Sequence, residues 1–227
     1  MDINFHKTHI DQEEIDSVVN ALKSGWTTMG PKTIEFERKF SEYMLKKNSS
    51  SIAFNTQFLH AISLNSATSA LHLALKAINL KEGDEVILPT NTFVATAEVV
   101  TYFNATPILC DIEYDTHNID INQIEKLITN KTKAIIPVHF AGQPCDMDEI
   151  FLIANKYDLK VIEDAAHALP SYYKNTIVGR LGSDSTCFSF YATKTLSTGE
   201  GGMLVTNNSK YAEKIRINRL HGISKDP

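Results

Sequence analysis

From about residue 60 onward, short apolar runs alternate with stretches whose apolar residues recur every three or four positions. A brief apolar run fits a buried strand, and the longer period fits a helix lying over it. The pattern predicts strands at residues 60–64, 85–88, 106–110, 134–138, 161–163, 186–190 and 203–206. Helical spacing is clear at residues 67–78, where Leu71, Leu75 and Ile78 share a face, and again at 121–128 and 147–157. Such alternation specifies an α/β fold, a mostly parallel central sheet with helices on both faces. Right-handed crossovers then put any ligand at the carboxyl ends of the strands.

The first sixty residues follow a different pattern. Helices over 12–23 and 33–43 flank a turn at 25–31 and read as an N-terminal arm. Residues 46–58, with Asn48 and Ser49 to Ser51 near their start, read as a polar loop or insertion. The expected division is therefore an arm and insertion over 1–58 and a large ligand-binding domain over 59–227. The run from Leu220 to Pro227 follows a final helix without a closing element, so a longer parent protein is expected.

Composition narrows the class. A formal charge of -5 and the lack of a basic stripe argue against nucleic acid as a partner. Lys214, Arg216 and Arg219 come nearest to one and are expected to form the solvated face of the final helix. Cys110, Cys145 and Cys187 lack the paired spacing of a zinc or thioredoxin-like site, and neither Glu163, Asp164 and His167 nor His6 with His9 form a metal motif. With no signal-peptide pattern and no stretch of membrane-spanning length, a reducing cytoplasm is the expected location.

Four places along the chain carry candidate chemistry. Lys194 stands between the apolar run ending at Phe190 and a turn rich in glycine, where a partly dry site lets an amine act as a nucleophile. Asn65-Ser66-Ala67-Thr68-Ser69 joins a strand to a helix, so backbone amides there face outward toward an anion. Asp164 ends a hydrophobic strand and needs a partner, for which a pyridinium nitrogen is one candidate. Phe93, after another strand, offers a ring for stacking. Singly, each has an ordinary reading: a solvated lysine, an N-cap, an aspartate paired with an amide or Arg, a core phenylalanine. In order at the ends of successive strands, they describe a site for pyridoxal 5'-phosphate (PLP).

The same residues carry a resemblance. The blocks Gly25-Trp26-Thr27-Thr28-Met29-Gly30-Pro31, Asn65 to His72, Pro89 to Phe93, Val138-His139-Phe140-Ala141-Gly142-Gln143-Pro144, Glu163 to His167 and Ser189 to Lys194 resemble the DegT/DnrJ/EryC1/StrS family of PLP-dependent nucleotide-sugar aminotransferases. The resemblance implies an aspartate-aminotransferase-like large domain, PLP fold type I. It implies that Lys194 is the Schiff-base lysine and proton shuttle, that Asp164 pairs with the pyridine nitrogen, and that His167 approaches the ring hydroxyl. It further implies that Phe93 stacks on the ring, that Ser189 and the amides around Ala67, Thr68 and Ser69 hold phosphate, and that Trp26, Thr28, Gly30 and His139 lie on the substrate side. L-glutamate as donor, a nucleotide-linked keto sugar as acceptor, a role in amino-sugar or surface polysaccharide synthesis and a homodimer are implied likewise.

Three departures bear on these expectations. The 46–58 segment is longer than the family pattern, Ala67 stands where many members carry Gly, and the family's small C-terminal domain is not in this chain. A truncated, non-catalytic PLP-binding or regulatory remnant is the alternative reading. The related sugar dehydratases replace the lysine with histidine, whereas this chain has Lys194.

Overall fold

The computed structural model describes residues 6–46 and 58–224. Its centre is a seven-stranded sheet in the order β1-β9-β8-β5-β4-β2-β3. The strands are β1 (His60–Leu64), β2 (Glu85–Pro89), β3 (Thr106–Cys110), β4 (Thr132–Ile135), β5 (Lys160–Asp164), β8 (Ser185–Ser189) and β9 (Gly202–Thr206). From β8 through β5, β4 and β2 to β3 the pairing is parallel, while β9 runs antiparallel to both β8 and β1. A mostly parallel sheet covered on two faces is what the alternation of strand and helix requires.

The period-two alternation of the strands sorts their side chains into two cores. On one side Ala61, Ile87, Ile135, Val161, Phe188, Met203 and Val205 pack with Phe40, Met44, Ile124 and Ile150. These partners come from helices α2 (Pro31–Lys46), α5 (Ile121–Leu127) and α6 (Met147–Lys156). On the other side Ile62, Val86, Leu88, Ile162, Cys187 and Leu204 pack with Leu71, Leu75, Val99 and Ile215. Those belong to α3 (Ala67–Ala77), α4 (Val94–Thr101) and α7 (Ser209–Asn218).

Several boundaries differ from the sequence pattern for identifiable reasons. β4 itself spans Thr132–Ile135: Pro137, which has no N–H to donate, interrupts the ladder, and pairing with β5 resumes as a single parallel bridge between Val138 and Asp164. α2 starts at Pro31 rather than at residue 33, since proline at the first helical position gives up a donor that no helix would use. α4 carries five β-branched residues, which obscured its helical character in the sequence. The hairpin of β6 (Tyr172–Tyr173) and β7 (Thr176–Ile177) was also missed; Lys174 and Asn175 turn it with positive φ of 45° and 68°.

The N-terminal segment divides in two. α1 (Gln12–Lys23), closed at its start by an Asp11–Glu14 capping box, buries none of its residues. α2, by contrast, inserts Phe40 edge-on to Phe188 and Phe190, at centroid distances of 5.6 and 5.9 Å. The polar stretch expected at 46–58 falls, over 47–57, outside the described residues. The expectation of a solvated Arg219 is corrected: its side chain is 9% exposed, paired with Glu37 of α2 and donating to the Ser63 carbonyl at 3.1 Å. A guanidinium so far from water needs such partners, and it ties α7, α2 and β1 together.

Phe188 links the sheet to α2, and an added Cβ at Gly179 would lie 3.2 Å from its ring, so the site is already full. Phe188→Ala should destabilise the chain by about 3–5 kcal/mol, read as a lower denaturant midpoint with little change in slope.

Candidate active site

The carboxyl ends of β1, β2, β5 and β8 lie along one edge of the sheet, and the loops leaving them enclose a cavity of about 640 Å³. After β1 come Ser66, Ala67 and Thr68; after β2, Asn91 to Phe93; after β5, Asp164, Ala166 and His167; after β8, Ser189 and Lys194. Val138, His139 and Phe140, beyond β4, complete the wall.

At one end of the cavity α3 begins. Ser66 caps it by accepting the Ser69 N–H at 3.1 Å, which leaves the Ala67 and Thr68 amides as first-turn donors without intrahelical partners. The positive end of the helix dipole adds to their attraction for an anion. The start of β9 presses against this turn: a Cβ at Gly202 would sit 2.4 Å from the Ser66 carbonyl and 2.7 Å from the Ala67 nitrogen. Ser189 pairs with Gly202 across the sheet, so its hydroxyl is held beside the same turn.

Asp164 is buried, and its carboxylate accepts from the Thr96 hydroxyl at 2.8 Å and the Ala166 N–H at 3.1 Å. Thr96, fully buried on α4, also bonds Thr92 at 2.7 Å. Lys194 sits in a tight turn, its N–H donating to the Tyr191 carbonyl at 2.9 Å, between the main cavity and a smaller one of about 200 Å³. Burial lowers the pKa of its amine, and the nearby Asp164 carboxylate works the other way. His167 has its pKa lowered by burial and by Lys194, with Asp164 opposing. Lys194, Asp164 and His167 thus form one electrostatic unit. Phe93 is 74% exposed on the rim at the start of α4.

Of the residues anticipated from sequence, Ala67, Thr68, Phe93, Asp164, His167, Ser189, Lys194 and His139 line this cavity. Ser69 does not; its amide is taken by Ser66, and with Thr28 it lines a neighbouring cavity on the other face of α3. Trp26 donates its indole N–H to the Met29 carbonyl at 3.0 Å and packs against Gly30, where a Cβ would fall 1.9 Å from the indole nitrogen. His139, expected on the substrate side, stands in the cavity wall with both ring nitrogens already engaged. The residue is fully buried, with Nε2 against Glu163 at 2.8 Å and Nδ1 accepting the Cys145 N–H at 3.1 Å. Neither nitrogen is left for a ligand. Thr96 and the Glu163 partners Ser183 and Thr186 were missed, because nothing local shows which hydroxyl will face a distant buried carboxylate.

A family model, the DegT/DnrJ/EryC1/StrS aminotransferase family, matches residues 8–227. The chain belongs to this family. It is 54% identical to an uncharacterised protein of Methanocaldococcus jannaschii over 96% of this chain and 53% of the relative. It is 47% identical to the spore coat polysaccharide biosynthesis protein SpsC of Bacillus subtilis, over 95% and 52%. Among solved structures, the putative sugar aminotransferase Spr1654 from Streptococcus pneumoniae in its PMP form matches with a TM-score of 0.89 and 38% identity, covering 100% of this chain and 59% of that one. The chain spans about half the length of the curated relatives it matches. The mostly parallel sheet with its covering helices is the PLP fold type I of these aminotransferases.

Because burial favours the neutral amine, Lys194 should react with an acylating reagent at lower pH than the exposed lysines do. Asp164→Asn removes the charge that favours the protonated form and should move the Lys194 midpoint lower still. Peptide mass spectrometry across a pH series reads both.

Proposed function

We propose that the chain carries the cofactor-binding part of a PLP-dependent aminotransferase that moves an amino group from L-glutamate to a keto group of a nucleotide-linked sugar. The observation that carries this reading is one cavity in which an amine of lowered pKa, a buried carboxylate and a helix N-terminus converge. Membership of the family and the PLP and PMP forms of the Streptococcus pneumoniae relative support it.

The residues fit PLP. The Ala67 and Thr68 amides with Ser189 would hold the phosphate, in a cradle that stays open only because Gly202 lacks a Cβ. Asp164, clamped by Thr96 and the Ala166 amide, would hold a proton on the pyridine nitrogen. Phe93 would cover the ring, and His167 would meet its hydroxyl. When bound, PLP supplies an electrophilic carbon for the amine and a ring that disperses the electron pair left by breaking a C–H bond.

Lys194 then has two tasks. Neutral, it would hold the cofactor; freed from it, its amine would be the base that removes and returns the proton at the substrate carbon. A lowered pKa serves both, because a protonated lysine has no lone pair. In the balanced exchange glutamate leaves as the 2-oxo acid and the keto sugar as the amino sugar.

Trp26, Thr28 and Gly30 form a compact turn, from which Thr28 reaches the cavity beside Ser69 of α3, and their contact with sugar or nucleotide is part of this proposal. Phe93, Val94 and Tyr191 expose apolar area around the cavity, which supports covering by a second copy in a homodimer. Three unpaired cysteines accord with a reducing cytoplasm. Among the described residues no helix is long and apolar enough to cross a membrane.

The test is the visible spectrum of the chain with PLP, before and after L-glutamate, beside Lys194→Ala. A band that requires Lys194 and is lost on adding glutamate is the expected result. A Lys194-dependent band unmoved by glutamate would favour a cofactor-holding remnant without donor chemistry, and no Lys194-dependent band would sink the PLP reading.

A further inference from the structure

Behind the cavity wall lies a buried polar cluster that the chemistry above does not use. Glu163 is fully buried, and its carboxylate accepts from the Thr186 hydroxyl at 2.8 Å, from the Ser183 hydroxyl, and from His139 Nε2 at 2.8 Å. On the far side of the imidazole the Cys145 N–H donates to Nδ1 at 3.1 Å. Nδ1 therefore keeps its lone pair, and the ring proton sits on Nε2 facing the carboxylate. Three donors thus compensate the buried carboxylate.

The cluster is fastened to Asp164 through the backbone. The His139 N–H donates to the Asp164 carbonyl at 3.1 Å, and the Asp164 N–H donates to the Pro137 carbonyl at 2.9 Å. Glu163 and Asp164 are consecutive in β5, so their side chains leave opposite faces of the sheet. Glu163 goes toward His139 and Cys145, and Asp164 toward Thr96 and the cavity. A twist of the strand that let Glu163 seek a new partner would carry the Asp164 carboxylate out of line.

We propose that His139 is a positioning residue: by holding Glu163 on one face of β5, it fixes the direction of the Asp164 carboxylate on the other. The proposal rests on the PLP reading above, in which Asp164 keeps the ring nitrogen protonated. A misaligned Asp164 protonates that nitrogen less, the ring withdraws fewer electrons, and the Lys194 nitrogen joined to the cofactor becomes more basic.

Two substitutions separate the contacts of the imidazole. His139→Asn keeps an oxygen near the Nδ1 position for the Cys145 amide but does not reach Glu163, whereas His139→Gln carries an N–H to the Nε2 position and does. The pH midpoint of the Lys194-dependent visible band should rise by about one unit in His139→Asn and return toward that of the unaltered chain in His139→Gln. Thr186→Val, a milder change that removes one other donor to Glu163, should shift the midpoint the same way by less. An unmoved midpoint in His139→Asn, with only a lower melting temperature, would reduce His139 to a structural role and overturn the proposal. So would a shift in His139→Gln equal to that in His139→Asn. If His139→Asn does not fold, Thr186→Val decides alone, an unmoved midpoint counting against. If the unaltered chain shows no Lys194-dependent band, both the PLP reading and this proposal fall, a result distinct from either of the others.

Discussion

Burying two consecutive carboxylates is the demand around which this structure is arranged. Glu163 and Asp164 end β5 just after the apolar pair Val161 and Ile162, and neither can stay charged out of water without donors of its own. Side-chain alternation sends them to opposite faces, so two separate sets of donors are needed. Thr96 of α4 and the Ala166 amide serve Asp164; His139, Ser183 and Thr186 serve Glu163. The end of β5 is therefore satisfied only when α4, β8 and the loop after β4 are in place, which couples the site to the fold.

The same edge of the sheet gathers the remaining groups because parallel strands finish on one side. β1 delivers the start of α3, β8 delivers the loop with Lys194, and antiparallel β9 starts from that edge with Gly202 against Ser66. The absence of a side chain at Gly202 permits this close approach. Outside the sheet, Arg219 clasps Glu37 and the Ser63 carbonyl, so the ends of β1 and α7 and the middle of α2 are held together near the start of α3. The N-terminal segment also reaches the lysine loop, where the Thr8 hydroxyl donates to the Ala192 carbonyl at 3.2 Å.

An amine and a carboxylate in one partly dry cavity set limits on each other. Burial favours the neutral lysine, while the carboxylate favours its charged form; the net direction for Lys194 is downward. The same balance lowers His167, with Lys194 adding to the effect of burial. Asp164 spends its own hydrogen bonds on the Thr96 hydroxyl and the Ala166 N–H.

Much of this was written into local sequence. Apolar periodicity located the principal strands and the helices over 67–78, 121–128 and 147–157, because burial on one face imposes a period that survives in a single chain. Lys194, Asp164 and the turn at Ser66 were legible because each sits where a strand ends, and strand ends in such folds converge. α4 and the β6–β7 hairpin were not, since β-branched residues and a two-residue turn give weak or conflicting local signals. His139 was identified as chemically important, yet only the tertiary structure turned its ring inward to Glu163 and Cys145. Thr96 and Arg219 likewise acquired their roles from partners 68 and 182 residues away, Asp164 and Glu37. Sequence determines which side chains are available and which local period they follow. Which of them meet is decided by packing between distant segments, where each buried charge must find donors that no neighbouring residue supplies.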